Sequence, residues 1–121
     1  MFVFRRLWPG AAALCVSAMK YQLVLQFRGD SLEDFDEMIA LEEELAEKLG
    51  NSADVDGHDM GSGERNIFIF TSDPARTFSE ARLVLERAGT LQSVTAAYRP
   101  VRGEEYTIIW PEGSKQEFKI T

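Results

Sequence analysis

The chain has 121 residues, enough to bury one hydrophobic core and too few for two. A hydrophobic share of 45% and a charged share of 27% are those of a folded globular protein, which argues against both disorder and a membrane-embedded fold. The formal net charge of -7 is unevenly spread: thirteen of the twenty acids, against the single base Lys48, fall within residues 30–64, which disfavours general binding to nucleic acid or to anionic lipid.

Residues 1–18 differ in composition from the rest. Arg5 and Arg6 precede an apolar run ending Val16-Ser17-Ala18, the outline of a secretory signal, but the run is short and Pro9 and Gly10 interrupt it. The expectation is an N-terminal extension, either disordered or upstream of a true start at Met19, on a cytoplasmic protein; a signal peptide, and export, is the alternative. The sole cysteine, Cys15, lies in this segment, so residues 19–121 form a single domain with no thiol, disulfide or cysteine-held metal.

In residues 21–27, Tyr21, Leu23, Leu25 and Phe27 alternate with Gln22, Val24 and Gln26, the pattern of a strand with one buried face. Gly29 ends it, and Asp30 with Glu33 reads as a capping box. Leu32, Phe35, Met38, Ile39, Leu41, Leu45 and Leu49 then recur at helical spacing up to Gly50-Asn51. The outer face of this helix is acidic: Glu33, Asp34, Asp36, Glu37, Glu42, Glu43, Glu44 and Glu47.

Residues 54–60 and 65–72 read as strands joined through Gly61-Ser62-Gly63, a hairpin turn. Asp73-Pro74 opens a second helix whose stripe is Phe78, Ala81, Leu85 and Ala88 and whose exposed charges include Arg76, Arg82 and Arg87. Residues 92–99 form a weaker strand, residues 100–105 a turn, residues 106–110 another strand, and residues 115–120 its partner in a terminal hairpin over 104–121.

From Met19 to about Pro100 the order strand, helix, strand, strand, helix, strand resembles the ferredoxin-like superfold. The resemblance implies an α+β sandwich: an antiparallel four-stranded sheet in the order 4-1-3-2, both helices on one face, and the C-terminal β-hairpin added. Its core would hold Leu23, Leu25, Phe27, Phe35, Ile39, Leu45, Ile67, Ile69, Phe78, Ala81 and Leu85. The stretch running from Gly57 to Ile69, GHDMGSGERNIFI, also resembles one in small uncharacterised bacterial proteins, a likeness that assigns no role to any residue. The superfold hosts enzymes, ligand sensors, RNA binders and metal carriers, so it assigns no function either.

Along one strand face, side chains two apart lie roughly 7 Å from each other, so Asp54, Asp56 and His58 would form a row, with Asp59 and Glu64 joining near the turn. Carboxylates beside an imidazole can hold a divalent metal, or serve acid/base catalysis with His58 oriented by Asp56 or Asp59. Spacing excludes an EF-hand, whose required glycine would fall at Asp59. A histidine in a hairpin strand is more often hydrogen-bonded structure. These residues are therefore expected to organise the hairpin without a cofactor, an aspartate accepting from turn N–H groups and His58 held by a carboxylate or Asn66.

Phe68 and Phe70 on a central strand suggest RNA-recognition-like base stacking, but the acidic charge and the missing basic positions disfavour it. Their expected cover is the terminal hairpin, through Ile108, Trp110 or Phe118, or a second copy of the chain. The preferred function is a small non-enzymatic binding or regulatory module, engaging a basic protein partner, or itself, through Glu42, Glu43, Glu47, Phe68 and Phe70 and the hairpin spanning residues 54–66.

Overall fold

The chain runs β1 (Phe2–Arg5), β2 (Tyr21–Arg28), α1 (Leu32–Leu49), β3 (Asp54–Gly61), β4 (Glu64–Thr71), α2 (Pro74–Arg87), β5 (Thr95–Pro100) and β6 (Thr107–Trp110) in a computed structural model that describes residues 2–5 and 19–120. Among the described residues these strands form one sheet in the order β1-β3-β4-β2-β5-β6, every neighbouring pair antiparallel. The β2 strand is central, pairing with β4 along its whole length and with β5 on its other side.

Alternation along β2 and β4 separates two packed faces. Leu23, Leu25, Ile67 and Ile69, all fully buried, meet Met38, Leu41 and Leu45 of α1 and Phe78, Ala81 and Leu85 of α2, so both helices lie on one face. On the other face Val24, Ala97 and Phe118 form a smaller cluster joined by Phe68, Tyr106, Ile108 and Ile120.

The four-stranded layout in the order 4-1-3-2 with a terminal hairpin is overturned. The sheet is longer at both edges, and residues 106–110 do not turn back on residues 115–120. Instead β6 pairs with β5, across the turn at residues 101–106. A sheet ending at β5 would leave a row of backbone donors and acceptors unpaired, and β6 supplies their partners. Residues 115–120 form no strand. Only Phe118 and Ile120 are apolar there, and both pack flat against the sheet face. The Tyr106 and Phe118 rings lie 4.8 Å apart, and Gln26 Nε2 donates to the Lys119 carbonyl at 3.0 Å.

Trp110 goes to the opposite face. A bulge between Ala96 and Ala97 shifts its register, and it packs 6.1 Å from Phe78, beneath the Arg82 guanidinium, with Nε1 donating to the Leu91 carbonyl. Of the three residues expected over Phe68 and Phe70, Ile108 and Phe118 therefore join Phe68, whereas Trp110 does not; Phe70 is half-buried outside that cluster. The expected extension at residues 1–18 falls mostly outside the described residues; Phe2–Arg5 are described, as the strand on the β3 edge.

The start of α1 is one residue later than the capping box read from Asp30 and Glu33. Ser31 is the N-cap: its hydroxyl accepts from the Asp34 N–H, and the Asp34 carboxylate accepts from the Ser31 N–H. That backbone bond, with the Ser31 hydroxyl and Arg65 adding to it, holds the Asp34 carboxyl below its usual value. Gly29, at φ 105°, makes room for it, since a Cβ there would collide with the Asp34 carboxylate. Leu32 is correspondingly outside the core, 77% exposed, while Phe35 and Ile39 are only half-buried.

The packing of Phe118 on the sheet gives a direct test. Phe118→Ala is expected to cost about 3 kcal/mol, the scale of an emptied aromatic site. Urea unfolding measures it, and binding of a hydrophobic dye should rise as Val24 and Phe68 lose their cover; an unchanged midpoint would show that the C-terminal segment does not hold this face.

Candidate functional site

The β3–β4 hairpin turns through Ser62 and Gly63, both at positive φ, with Gly61 paired to Glu64. Two residues of that geometry match the right-handed twist of the flanking strands. The turn is tied to the β2–α1 connection: the Gly63 N–H donates to Asp30 Oδ2 at 3.0 Å, and the Gly29 N–H to the Gly63 carbonyl at 2.7 Å. The aspartate that accepts from the turn is thus Asp30, not one of the β3 acids.

The row of Asp54, Asp56 and His58 does not exist. A bulge between Val55 and Gly57 leaves Asp56 as the extra residue, half-buried and opposite nothing in the β4 register. Asp54 pairs with Phe70 and is 9% exposed, whereas His58 pairs with Ile67 and turns toward the helices. Asp59 follows on the opposite face. Strict alternation would produce the row, and one inserted residue reverses it.

His58 is 1% exposed, and its Nδ1 lies 3.1 Å from Glu42 Oε2 of α1, itself fully buried. Phe35 stands edge-on to the imidazole at 5.9 Å. Glu42 is therefore not part of the outer acidic face, and this partner-binding assignment is corrected. The buried positions of α1 are Met38, Leu41, Glu42, Leu45 and Leu49, so Glu42 sits four residues after Met38 and three before Leu45, in phase with the core stripe. That phase was visible in the sequence. As an acid/base group, His58 would need α1 to lift away before a substrate touched it.

A second polar cluster occupies the far face. Asn66, fully buried, donates from Nδ2 to Asp59 Oδ1 at 2.8 Å and to Glu64 Oε2 at 3.1 Å, and its Oδ1 accepts from Gln26 Nε2 at 3.0 Å. Burial pushes the Asp59 carboxyl above the usual carboxylate range; the Asn66 hydrogen bond opposes the rise and the neighbouring Glu64 carboxylate reinforces it. Glu64 and Asp59 are thereby brought together, but His58 and Asp56 are not with them. Among the described residues no three histidine, aspartate or glutamate side chains converge to hold a metal ion.

Arg65 was not singled out in the sequence. It crosses to α1, with Nη1 donating to the Asp34 carbonyl at 3.0 Å and lying 3.7 Å from the Asp34 and Glu37 carboxylates, while Nη2 donates to the Arg28 carbonyl. Its guanidinium rests over Phe27 at 5.3 Å. The remaining assigned residues separate by exposure: Glu43 and Glu47 are exposed on α1, and Phe68 and Phe70 are half-buried on the far face of the sheet.

No described helix is long and apolar enough to cross a membrane. Comparison of the chain with protein-family models, with curated proteins and with solved structures finds no match in any of the three.

Two measurements follow from these geometries. Glu42→Ala and His58→Ala should each cost roughly 3 to 5 kcal/mol, because each removes a buried ionisable contact that the other group makes, and the double variant should cost less than the sum by about 1 kcal/mol or more. Additive losses in a urea double-mutant cycle would show that the two side chains do not depend on each other.

The second concerns pH. With its carboxyl raised in the folded state, Asp59 keeps its proton to higher pH than in the unfolded chain. Its contribution to stability therefore falls as pH rises from the ordinary carboxylate value, about 4, through the raised one, and stays flat above it. Asp59→Asn should gain stability relative to the parent across that window in unfolding measured at a series of pH values; parallel curves would contradict the assignment.

Proposed function

We propose that this chain is a small non-catalytic docking module that offers the outer face of α1 to a basic protein surface. The observation that carries this reading is the state of the α1 acids after folding. Glu42 is taken into the core, and Asp34 and Glu37 face Arg65. Glu33, Asp36, Glu43, Glu44 and Glu47 stay exposed, and none forms an ion pair among the described residues.

Such a face is not required by the fold. Glu33 with Glu37, and Glu43 with Glu47, are like charges four residues apart, which costs a helix a few tenths of a kcal/mol per pair. A dense negative field of this kind speeds encounter with a positive partner and opposes contact with a second identical face. This favours a basic partner over self-association through α1. Docking is also preferred to acid/base chemistry because the one histidine lies behind the helix rather than in a cleft.

The experiment compares two triple variants of equal charge change, Glu43→Gln/Glu44→Gln/Glu47→Gln on α1 and Glu104→Gln/Glu105→Gln/Glu117→Gln away from it, all six positions being exposed. Association with a polylysine-coated surface at low salt should slow several-fold, with a shallower salt dependence, for the α1 variant only. Equal slowing in both would reduce the effect to net charge and defeat the proposal.

A further inference from the structure

Where α1 passes the C-terminal end of α2, a groove of about 390 Å³ opens on the surface. Phe27, Met38 and Leu41 supply its apolar lining, each less than a tenth exposed. Its acidic lining comes from Glu37 and Glu44, two turns apart on one face of α1, with Ala40 between them. The opposite lining is Ala88, Gly89 and Thr90, just past the last turn of α2, where the helix macrodipole places its negative end.

Arg65 also reaches the groove, but its guanidinium is engaged by the Asp34 and Arg28 carbonyls and lies between the Asp34 and Glu37 carboxylates. Glu44 is left as the acid with no ion pair among the described residues. An apolar lining ending at a carboxylate and at the negative end of a helix suits a long cationic side chain, whose methylene stem covers hydrocarbon while its head stays at the polar edge.

We infer that this groove receives a lysine or arginine side chain from the basic partner. The inference rests on the docking function proposed for α1 and adds to it the point of insertion. Charge complementarity selects the occupant: an acidic segment would meet Glu37, Glu44 and the α2 terminus with like charge, and a purely apolar one would leave Glu44 without a counterion.

The test is a titration of the ¹⁵N-labelled full chain with capped tetralysine at low salt, read by amide chemical shifts. Saturable shifts at Leu41, Gly89 and Thr90 are expected. Glu44→Gln should weaken them about threefold, the scale of one exposed ion pair. Ala40→Trp, which fills the groove from an exposed position, should remove the shifts at Gly89 and Thr90 while those at Glu43 and Glu47 persist. Saturable shifts confined to the Glu33, Glu43 and Glu47 region, with Gly89 and Thr90 silent, would overturn the groove and leave the α1 surface as the docking face. Silence everywhere would defeat both readings.

Discussion

The Glu42–His58 pair is the constraint on which the arrangement of α1 against the sheet depends. Two ionisable side chains at 0% and 1% exposure are tolerable in a core only when their polar atoms find partners, and these two meet each other. Their 3.1 Å contact sets the rotation of α1 about its axis, because Glu42 must point into the stripe formed by Met38, Leu41 and Leu45. It also sets the register of β3. Val55 faces the helices, so unbroken alternation would next bring Gly57 inward and turn His58 to the far side. The bulge at Asp56 delays the inward step by one residue and delivers the imidazole to Glu42.

The β4 strand connects this centre to the rest of the molecule by ordinary alternation. Arg65, Ile67 and Ile69 serve the helical face, while Asn66 and Phe68 serve the face covered by the C-terminal segment. Asn66 is the hub of the second face: its amide holds Asp59 and Glu64 with one end and Gln26 with the other, and Gln26 in turn grips the Lys119 carbonyl. The Asp59 and Glu64 carboxylates and the His58 imidazole, which together suggested a metal or a catalytic centre, thus lie on opposite sides of one sheet.

What the sequence made legible was local. Alternation in residues 21–27, the glycine-rich turn at residues 61–63 and the Asp73-Pro74 helix start each depend on a few adjacent residues, and each lies where it was expected. What it concealed depended on partners far along the chain. The pairing of Tyr106–Trp110 was misassigned because a strand does not name its neighbour, and β5 offered an open edge. The Asp54, Asp56 and His58 row failed on a bulge for which no glycine or proline at position 56 gave warning. Glu42 differs in kind: its acidity suggests the outer face, but its spacing from Met38 and Leu45 places it on the buried side. Arg65 carried no motif, and its importance comes only from the approach of Asp34 and Phe27.

The position of β2 has a consequence for how this chain acquires its structure during synthesis. It is the first of the central strands to leave the ribosome, yet Leu23 must pair with Ile69 on one side and Tyr98 on the other. The β3–β4 and β5–β6 hairpins close between near neighbours, so they form from chain that has just emerged. The middle of the sheet is then completed only after β4 and β5 have been made, and until then the β2 edges that carry Leu23, Leu25 and Phe27 stay unpaired, the interval in which an apolar strand is most open to capture by a chaperone or by another nascent chain.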